Sequence, residues 1–285
     1  MFDTFADKWK IKIIESGFFK LDGGAMMGSV PKVLWEKTNP CDELNRIELS
    51  MRCLLLDNGK DVILIETGIG NKNNDKFMKM FCIEQPVFPL KNELKKYGYK
   101  LKDITYVILT HLHFDHAGGA TYFNGKENIP TFPNANYIVS TSNWDAAINP
   151  NPKDKASYLS ENFMPIKKSN QLTLVKDNCD IMDTISGLSF YGHTTGQQLI
   201  KITVNNDSII FCSDLIPLKS HLKLPWIMGY DLNAMKTLEE KTLFLSQAAK
   251  ENWLLFFYHD PKTIAVRIQK GDKYYNITEE YPSYG

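Results

Sequence analysis

The stretch His111-Leu112-His113-Phe114-Asp115-His116 constrains this chain more than any other. Three imidazoles and one carboxylate fall within six residues, directly behind the apolar run Tyr106-Val107-Ile108-Leu109-Thr110. That run reads as a buried strand from its length and β-branched content. The cluster therefore sits where a strand ends, and a loop there can turn successive side chains toward one point. Imidazole with carboxylate suits zinc or a similar divalent cation. The bland alternative is a set of solvated loop histidines. The chain holds only six histidines, so gathering three of them by chance is improbable.

Three more residues stand in comparable places. His193 lies in the glycine-flanked turn Tyr191-Gly192-His193-Thr194-Thr195-Gly196, after Leu188-Ser189-Phe190. Asp214 ends the run Ile209-Ile210-Phe211-Cys212-Ser213. His259 follows Trp253-Leu254-Leu255-Phe256-Phe257-Tyr258 and precedes Asp260-Pro261. Each candidate comes just past the end of a predicted strand, and layered α/β folds build their sites at such sheet edges.

The remaining pattern gives an α/β or α+β chain. Ile11 to Phe19 reads as a strand, followed by a flexible loop from Asp22 to Pro31. Met51–Leu56 and Val62–Ile65 flank Asp57-Asn58-Gly59-Lys60, a hairpin signal because Asn-Gly tolerates positive φ. Leu90, Leu94 and Tyr97 recur at helical spacing and stop at Gly98. Leu199–Val204 and Ser208–Cys212 form a second hairpin through Asn205-Asn206-Asp207. A helix is predicted from about Asn233 to Lys250, with Met235, Leu238, Thr242, Leu245 and Ala249 on one face. Ile264–Ile268 closes the sheet. Candidate ligands fall in both halves, which must then share one site, so residues 1–285 read as a single domain.

Charge and cysteines narrow the setting. Formal net charge is zero, which gives no electrostatic handle for nucleic acid or an anionic membrane. Five cysteines without Cys-x-x-Cys spacing fit reduced thiols in the cytoplasm better than a disulfide frame. Cys212 reads as a buried strand residue. Met1 to Lys10 lacks the apolar core of a signal peptide, and no apolar run approaches the roughly 20 residues needed to span a bilayer.

In order, spacing and strand context, the six-residue motif, the Gly-His-Thr-x-Gly turn, the Asp after a strand and the late His resemble the metallo-β-lactamase superfamily. The resemblance runs over nearly the whole chain. It implies an α/β fold, a four-layer αβ/βα sandwich of two mixed sheets flanked by helices. It also implies two divalent metals, zinc first, with iron or manganese as the other candidates. By the resemblance, His111, His113 and His193 hold one metal, Asp115, His116 and His259 hold the second, and Asp214 bridges them about 3.5–4 Å apart so that one hydroxide can span both. Glu66, where the superfamily usually has Asp, supports the metal loop from behind.

Within the superfamily, the chain is most similar to the branch of N-acyl homoserine lactonases and methyl parathion hydrolase-like enzymes. The carrying residues are Ser213-Asp214-Leu215-Ile216-Pro217, His221, Pro225-Trp226 and Tyr230-Asp231, with the segment Trp144 to Pro165. Pro217 stands where the lactonases have a tyrosine that polarises the lactone carbonyl. The implied enzyme is a dinuclear metal-dependent hydrolase of a small neutral ester, lactone or phosphotriester. The metal-bridging hydroxide attacks, and Asp115 and His221 are the catalytic candidates. Met26, Met27, Trp35, Phe114 and Trp226 are the candidate substrate wall. The apolar segment 22–35 reads equally as a lid or as a homodimer contact. A mononuclear iron oxygenase on the same fold and a non-catalytic metal-containing binding protein remain the alternatives.

Overall fold

Apolar β-branched runs become strands, and the amphipathic runs between them become helices. The structure, a computed structural model, describes residues 5–83, 89–272 and 274–283, so residues 1–4 of the N-terminal stretch lie outside the described residues. In chain order the strands are β1 (Lys10–Asp22), β2 (Arg46–Asp57), β3 (Val62–Ile65), β4 (Tyr106–Ile108), β5 (Thr121–Phe123), β6 (Asn128–Pro130), β7 (Asn136–Ser140), β8 (Leu172–Val175), β9 (Asp180–Met182), β10 (Ile185–Phe190), β11 (Gln197–Val204), β12 (Asp207–Phe211), β13 (Leu254–Phe256), β14 (Thr263–Lys270) and β15 (Tyr275–Pro282). The α-helices are α1 (Gly23–Met27), α2 (Lys32–Trp35), α3 (Asp75–Met80), α4 (Pro89–Lys96), α5 (Phe114–Ala117), α6 (Thr141–Ile148), α7 (Met164–Lys168) and α8 (Ala234–Lys250). One sheet runs β1-β2-β3-β4-β7-β8, a second runs β15-β14-β13-β12-β11-β10-β9, and β5 and β6 form a ribbon. No helix among the described residues is long and apolar enough to cross a membrane.

Contacts divide the chain into two compact units. One comprises Phe2–Phe18 and Met51–Asp177, the other Phe19–Ser50 and Asn178–Gly285. In the first unit the β2–β3 hairpin closes through Gly59 at φ 85°, as the Asn-Gly signal predicts. β3, β4, β7 and β8 then lie parallel. Ile63, Leu64, Ile65, Val107 and Ile108 are fully buried, which explains why these strands read as unbroken apolar runs. Parallel pairing brings the C-terminal ends of β3 and β4 to one edge, with Glu66 following the first and His111 just beyond the second.

The second unit repeats this plan. The β11–β12 hairpin turns through Asn205 at φ 54°. β12 and β13 pair in parallel, Ile209 opposite Leu254 and Phe211 opposite Phe256, with α8 as the crossover. Asp214 follows β12 and His259 follows β13.

Three expectations are corrected. The helix exists where predicted, with Asn233 accepting from the Lys236 amide, but its buried residues are Thr237, Glu240, Lys241, Phe244, Leu245 and Ala248. Only Leu245 belongs to the expected face, and Met235 is 67 % exposed. The true face carries two charged residues whose heads are hydrogen-bonded, which an apolar count passes over. Next, β14 does not close the sheet: β15 pairs outside it with mostly exposed residues that show no apolar alternation. Last, the expected loop from Asp22 to Pro31 contains α1 and leads into α2. The Asp22 carboxylate caps α1 by accepting from the Ala25 amide at 2.7 Å.

Candidate metal centre

In the first unit the chain leaves β4 and turns its histidines together. His111 Nε2 lies 3.1 Å from His113 Nδ1, and the His111 and His116 rings are 4.0 Å apart between centroids. Donor atoms of Glu66, His111 and His116 all fall within 4.8 Å of one another. The far nitrogens of His113 and His111 have hydrogen-bond partners, and that of His116 faces a carboxylate. His113 Nε2 donates to Asp154 Oδ1 at 2.8 Å, Thr110 Oγ1 lies 3.0 Å from His111 Nδ1, and Glu66 Oε1 lies 3.4 Å from His116 Nδ1. A carboxylate can only accept, so the His113 proton sits on Nε2 and its Nδ1 lone pair turns toward His111. Asp115 Oδ2 lies 3.8 Å from His116 Nε2, and both residues are buried.

The second unit assembles its three candidates around one carboxylate. His193 Nδ1 donates to Asp231 Oδ1 at 2.9 Å, and His259 Nδ1 donates to the Ser50 carbonyl at 2.9 Å. Both Nε2 atoms then face Asp214: His193 Nε2 lies 3.3 Å from Oδ2, and His259 Nε2 lies 3.3 Å from Oδ1. With each Nδ1 turned to an acceptor, both Nε2 atoms are left facing one buried carboxylate, a set of donors that a divalent cation can share. The donor set therefore fits a divalent metal, and neutral imidazole with carboxylate is the chemistry such an ion takes.

Local backbone explains how these side chains arrive. Glu66 and Ser213 follow β3 and β12 with φ of 67° and 44°, a conformation that L-residues other than Asn or Asp seldom adopt. Glu66 Oε1 also accepts from the Thr110 amide at 2.9 Å, tying the ends of β3 and β4. Thr67 donates through Oγ1 and its amide to the His116 carbonyl. Gly118 allows a backbone approach here, since a Cβ on it would lie 2.2 Å from the Ile69 carbonyl oxygen. Asn143 accepts from the Leu112 amide and donates to Tyr158, whose ring packs against His113. On α8, Glu240 accepts from the Tyr191 and Gly192 amides and so holds the turn carrying His193.

The candidate substrate residues divide. Phe114 packs edge-on to Phe77, 5.2 Å between centroids, and lies 5.3 Å from Phe81. Met26 and Met27 are buried on α1. Trp35 is 1 % exposed, and a Cβ on Gly23 would lie 2.5 Å from its ring, so it props α1 from within the core. Trp226 is buried with the Lys223 ammonium 4.1 Å from its ring centroid. His221 is fully buried and donates from Nε2 to the Met26 carbonyl at 3.0 Å. Burial first, then the Lys241 charge, pushes its imidazole down to about 3, against the opposing pull of Asp214. Cys212 is buried in the core, where burial raises its thiol far above the usual range, and all five cysteines are free.

The profile of the Metallo-beta-lactamase superfamily matches residues 49–259, and the chain belongs to that superfamily. This makes it a metal-dependent hydrolase by class, with the α/β metallo-β-lactamase fold. It is 28 % identical over 230 residues to an N-acyl homoserine lactonase of Bacillus sp., covering 75 % of this chain and 82 % of that one. A probable metal-dependent hydrolase of Staphylococcus aureus superposes with a TM-score of 0.90 at 30 % identity over 98 % of each chain. AidC, a dizinc quorum-quenching lactonase solved with its product, superposes with a TM-score of 0.78 at 20 % identity, over 96 % of this chain and 98 % of that one. The last likeness bears on fold alone.

Asp154, Asp231, Asn143 and Glu240 were not singled out from sequence as parts of the site. Asp231 had the faint signal of following Tyr230 in a family-like stretch. Asp154 had none.

Proposed function

We propose that the chain is a dinuclear hydrolase of small neutral substrates. His111, His113 and His193 would hold one metal, Asp115, His116 and His259 would hold the other, and Asp214 would be shared between them. The observation that carries this reading is the pair of imidazole Nε2 atoms held 3.3 Å from the two oxygens of the buried Asp214. Superfamily membership and the Glu66–His111–His116 cluster support it. Both units then act as one hydrolase domain over residues 1–285. Two such cations, zinc in this proposal, would lower the pKa of a shared water toward neutrality and stabilise a developing oxyanion.

The chain's own residues do the rest. Asp154, Asp231 and the Ser50 carbonyl hold the His113, His193 and His259 rings in orientation, and Glu66 lies beside His116. Asp115 orients the nucleophile and passes a proton to the leaving group. His221, kept neutral and committed to the Met26 carbonyl, positions the Met26–Met27 wall rather than trading protons. Phe114, Met26, Met27 and Trp226 supply apolar contact.

Such a wall suits an uncharged, partly apolar ester, lactone or phosphotriester. Lactones come first because the curated relatives bear the name lactonase. Pro217 in place of the lactonase tyrosine favours broader ester use. The reduced thiols fit a cytoplasmic protein. The test is turnover of the zinc-loaded protein on lactones, aryl esters, phosphotriesters, phosphomonoesters and RNA. Neutral esters or lactones should turn over, with full loss on chelation and none with serine-directed inhibitors. Cleavage of RNA or phosphomonoesters alone would contradict the assignment.

A further inference from the structure

A cavity of about 750 Å³ opens in the second unit, among the segment 38–48, the turn Lys219–Lys223, the loop 260–262 and the β14–β15 hairpin. None of the metal-ligand candidates lines it. Its volume falls in the range of small-molecule sites, roughly 300–1,000 Å³. Ile47, Leu222, Pro261 and Tyr275 give it an apolar wall, and Ser220 Oγ is buried there with no hydrogen-bond partner among the described residues.

The charges around this wall do not cancel. Lys20, Arg46, Lys219, Lys223 and Lys262 line it against Asp42, Glu48 and Asp260. Lys20 and Arg46 share Asp42, at 3.5 and 2.9 Å. Lys219 pairs with Glu280, which lies outside the lining. Asp260 accepts from the Lys219, Lys262 and Thr263 amides. Lys223 rests on Trp226, and Lys262 has no ion partner among the described residues. Once Glu280 is counted, one positive charge is left over.

The donors free to meet a ligand are lysine ammoniums, not an arginine fork, because the Arg46 guanidinium is already turned onto Asp42. Lysine ammoniums are point charges that can meet a carboxylate or a phosphate, and a single surplus positive charge beside an apolar wall suits a monoanion, of which a carboxylate is the simplest head. We propose that this cavity is a second small-molecule site, for an amphipathic monoanion: one carboxylate on an apolar body of medium-chain or aryl size. The carboxylate meets Lys262 and Lys223, the apolar body lies along Ile47, Leu222 and Tyr275, and Ser220 gains a hydrogen-bond partner. The turn that lines the cavity also carries His221, and Asp260 directly follows His259, so occupancy bears on the walls of the metal centre. The assignment does not depend on which substrate is hydrolysed.

Calorimetry of the metal-loaded protein with decanoate tests it, with decyltrimethylammonium as the matched cation. Decanoate should bind saturably through a component that weakens at least ten-fold in Lys223→Glu/Lys262→Glu, two exposed positions. Thr38→Trp, which fills the cavity from its rim without altering charge, should weaken the same component. The cation should not bind. Decanoate affinity unchanged in both variants would place it elsewhere, the metals included, and overturn the proposal. So would absence of saturable binding, or equal affinity for the cation.

Discussion

The candidate ligand histidines are set by residues that contribute nothing to the motif itself. Asp154 reaches His113 from 41 positions away and Asp231 reaches His193 from 38. Each fixes a tautomer, so that the remaining nitrogen offers a lone pair. Asp154→Asn and Asp231→Asn should each lower metal affinity by about 10–100-fold while leaving the fold intact. Competition with a chromogenic chelator reads this, and unchanged affinity would remove the orienting role. Asp214→Asn removes the charge that faces both Nε2 atoms. It should cost metal and reduce turnover at least about 100-fold. Retained metal with near-native turnover would rule out a bridge. The candidate ligands stand out in sequence because each lies in a short motif or directly after a strand. Their orienting partners were not, because a carboxylate in a loop looks the same whether it meets solvent or an imidazole 40 residues away.

At the scale of elements, glycines and buried charges decide how the site loops seat. Gly118 lets the segment after α5 meet the Ile69 carbonyl, and alanine there forces the two backbones apart. Gly118→Ala should cost about 1–3 kcal/mol, as overpacking usually does, seen as a lower urea midpoint. An unchanged midpoint would show that the contact yields freely. On α8, Lys241 donates to the Lys223 and Trp226 carbonyls at 2.9 and 2.6 Å. Burial pushes its ammonium from the usual 10.5 down to about 7, against the pull of Asp231. The unfolded chain keeps that proton up to about pH 10.5, so between pH 7 and 10.5 it binds more protons than the folded one. Folded stability therefore rises with pH across that window and is lost as pH falls toward 7. The stability of wild type relative to Lys241→Met should climb from pH 7 to about 9.5 in urea unfolding. A flat difference would contradict the shift. This buried lysine, with Glu240, is also why the helix was legible in sequence while its inner face was not.

At the scale of the molecule, the two units follow one plan. A parallel strand pair in each, β3 with β4 and β12 with β13, delivers candidate ligands just past its C-terminal ends. In each, a residue with positive φ, Glu66 or Ser213, turns the chain out of the strand. Strands β1 to β4 and β10 to β14, both hairpins and the α/β class were readable from apolar runs and Asn-rich turns, whereas β5 to β9, short or partly exposed, were not read. β15 was not, because an exposed edge strand carries no buried face to imprint on its sequence. The proposed dinuclear centre requires ligands from both units to serve two metals. A zinc titration of chelator-stripped protein, following bound metal and ester or lactone turnover together, measures this. Turnover should reach its plateau at two zinc ions per chain, and His116→Ala should bind only one. A plateau at one ion per chain, with full turnover, would contradict the dinuclear centre.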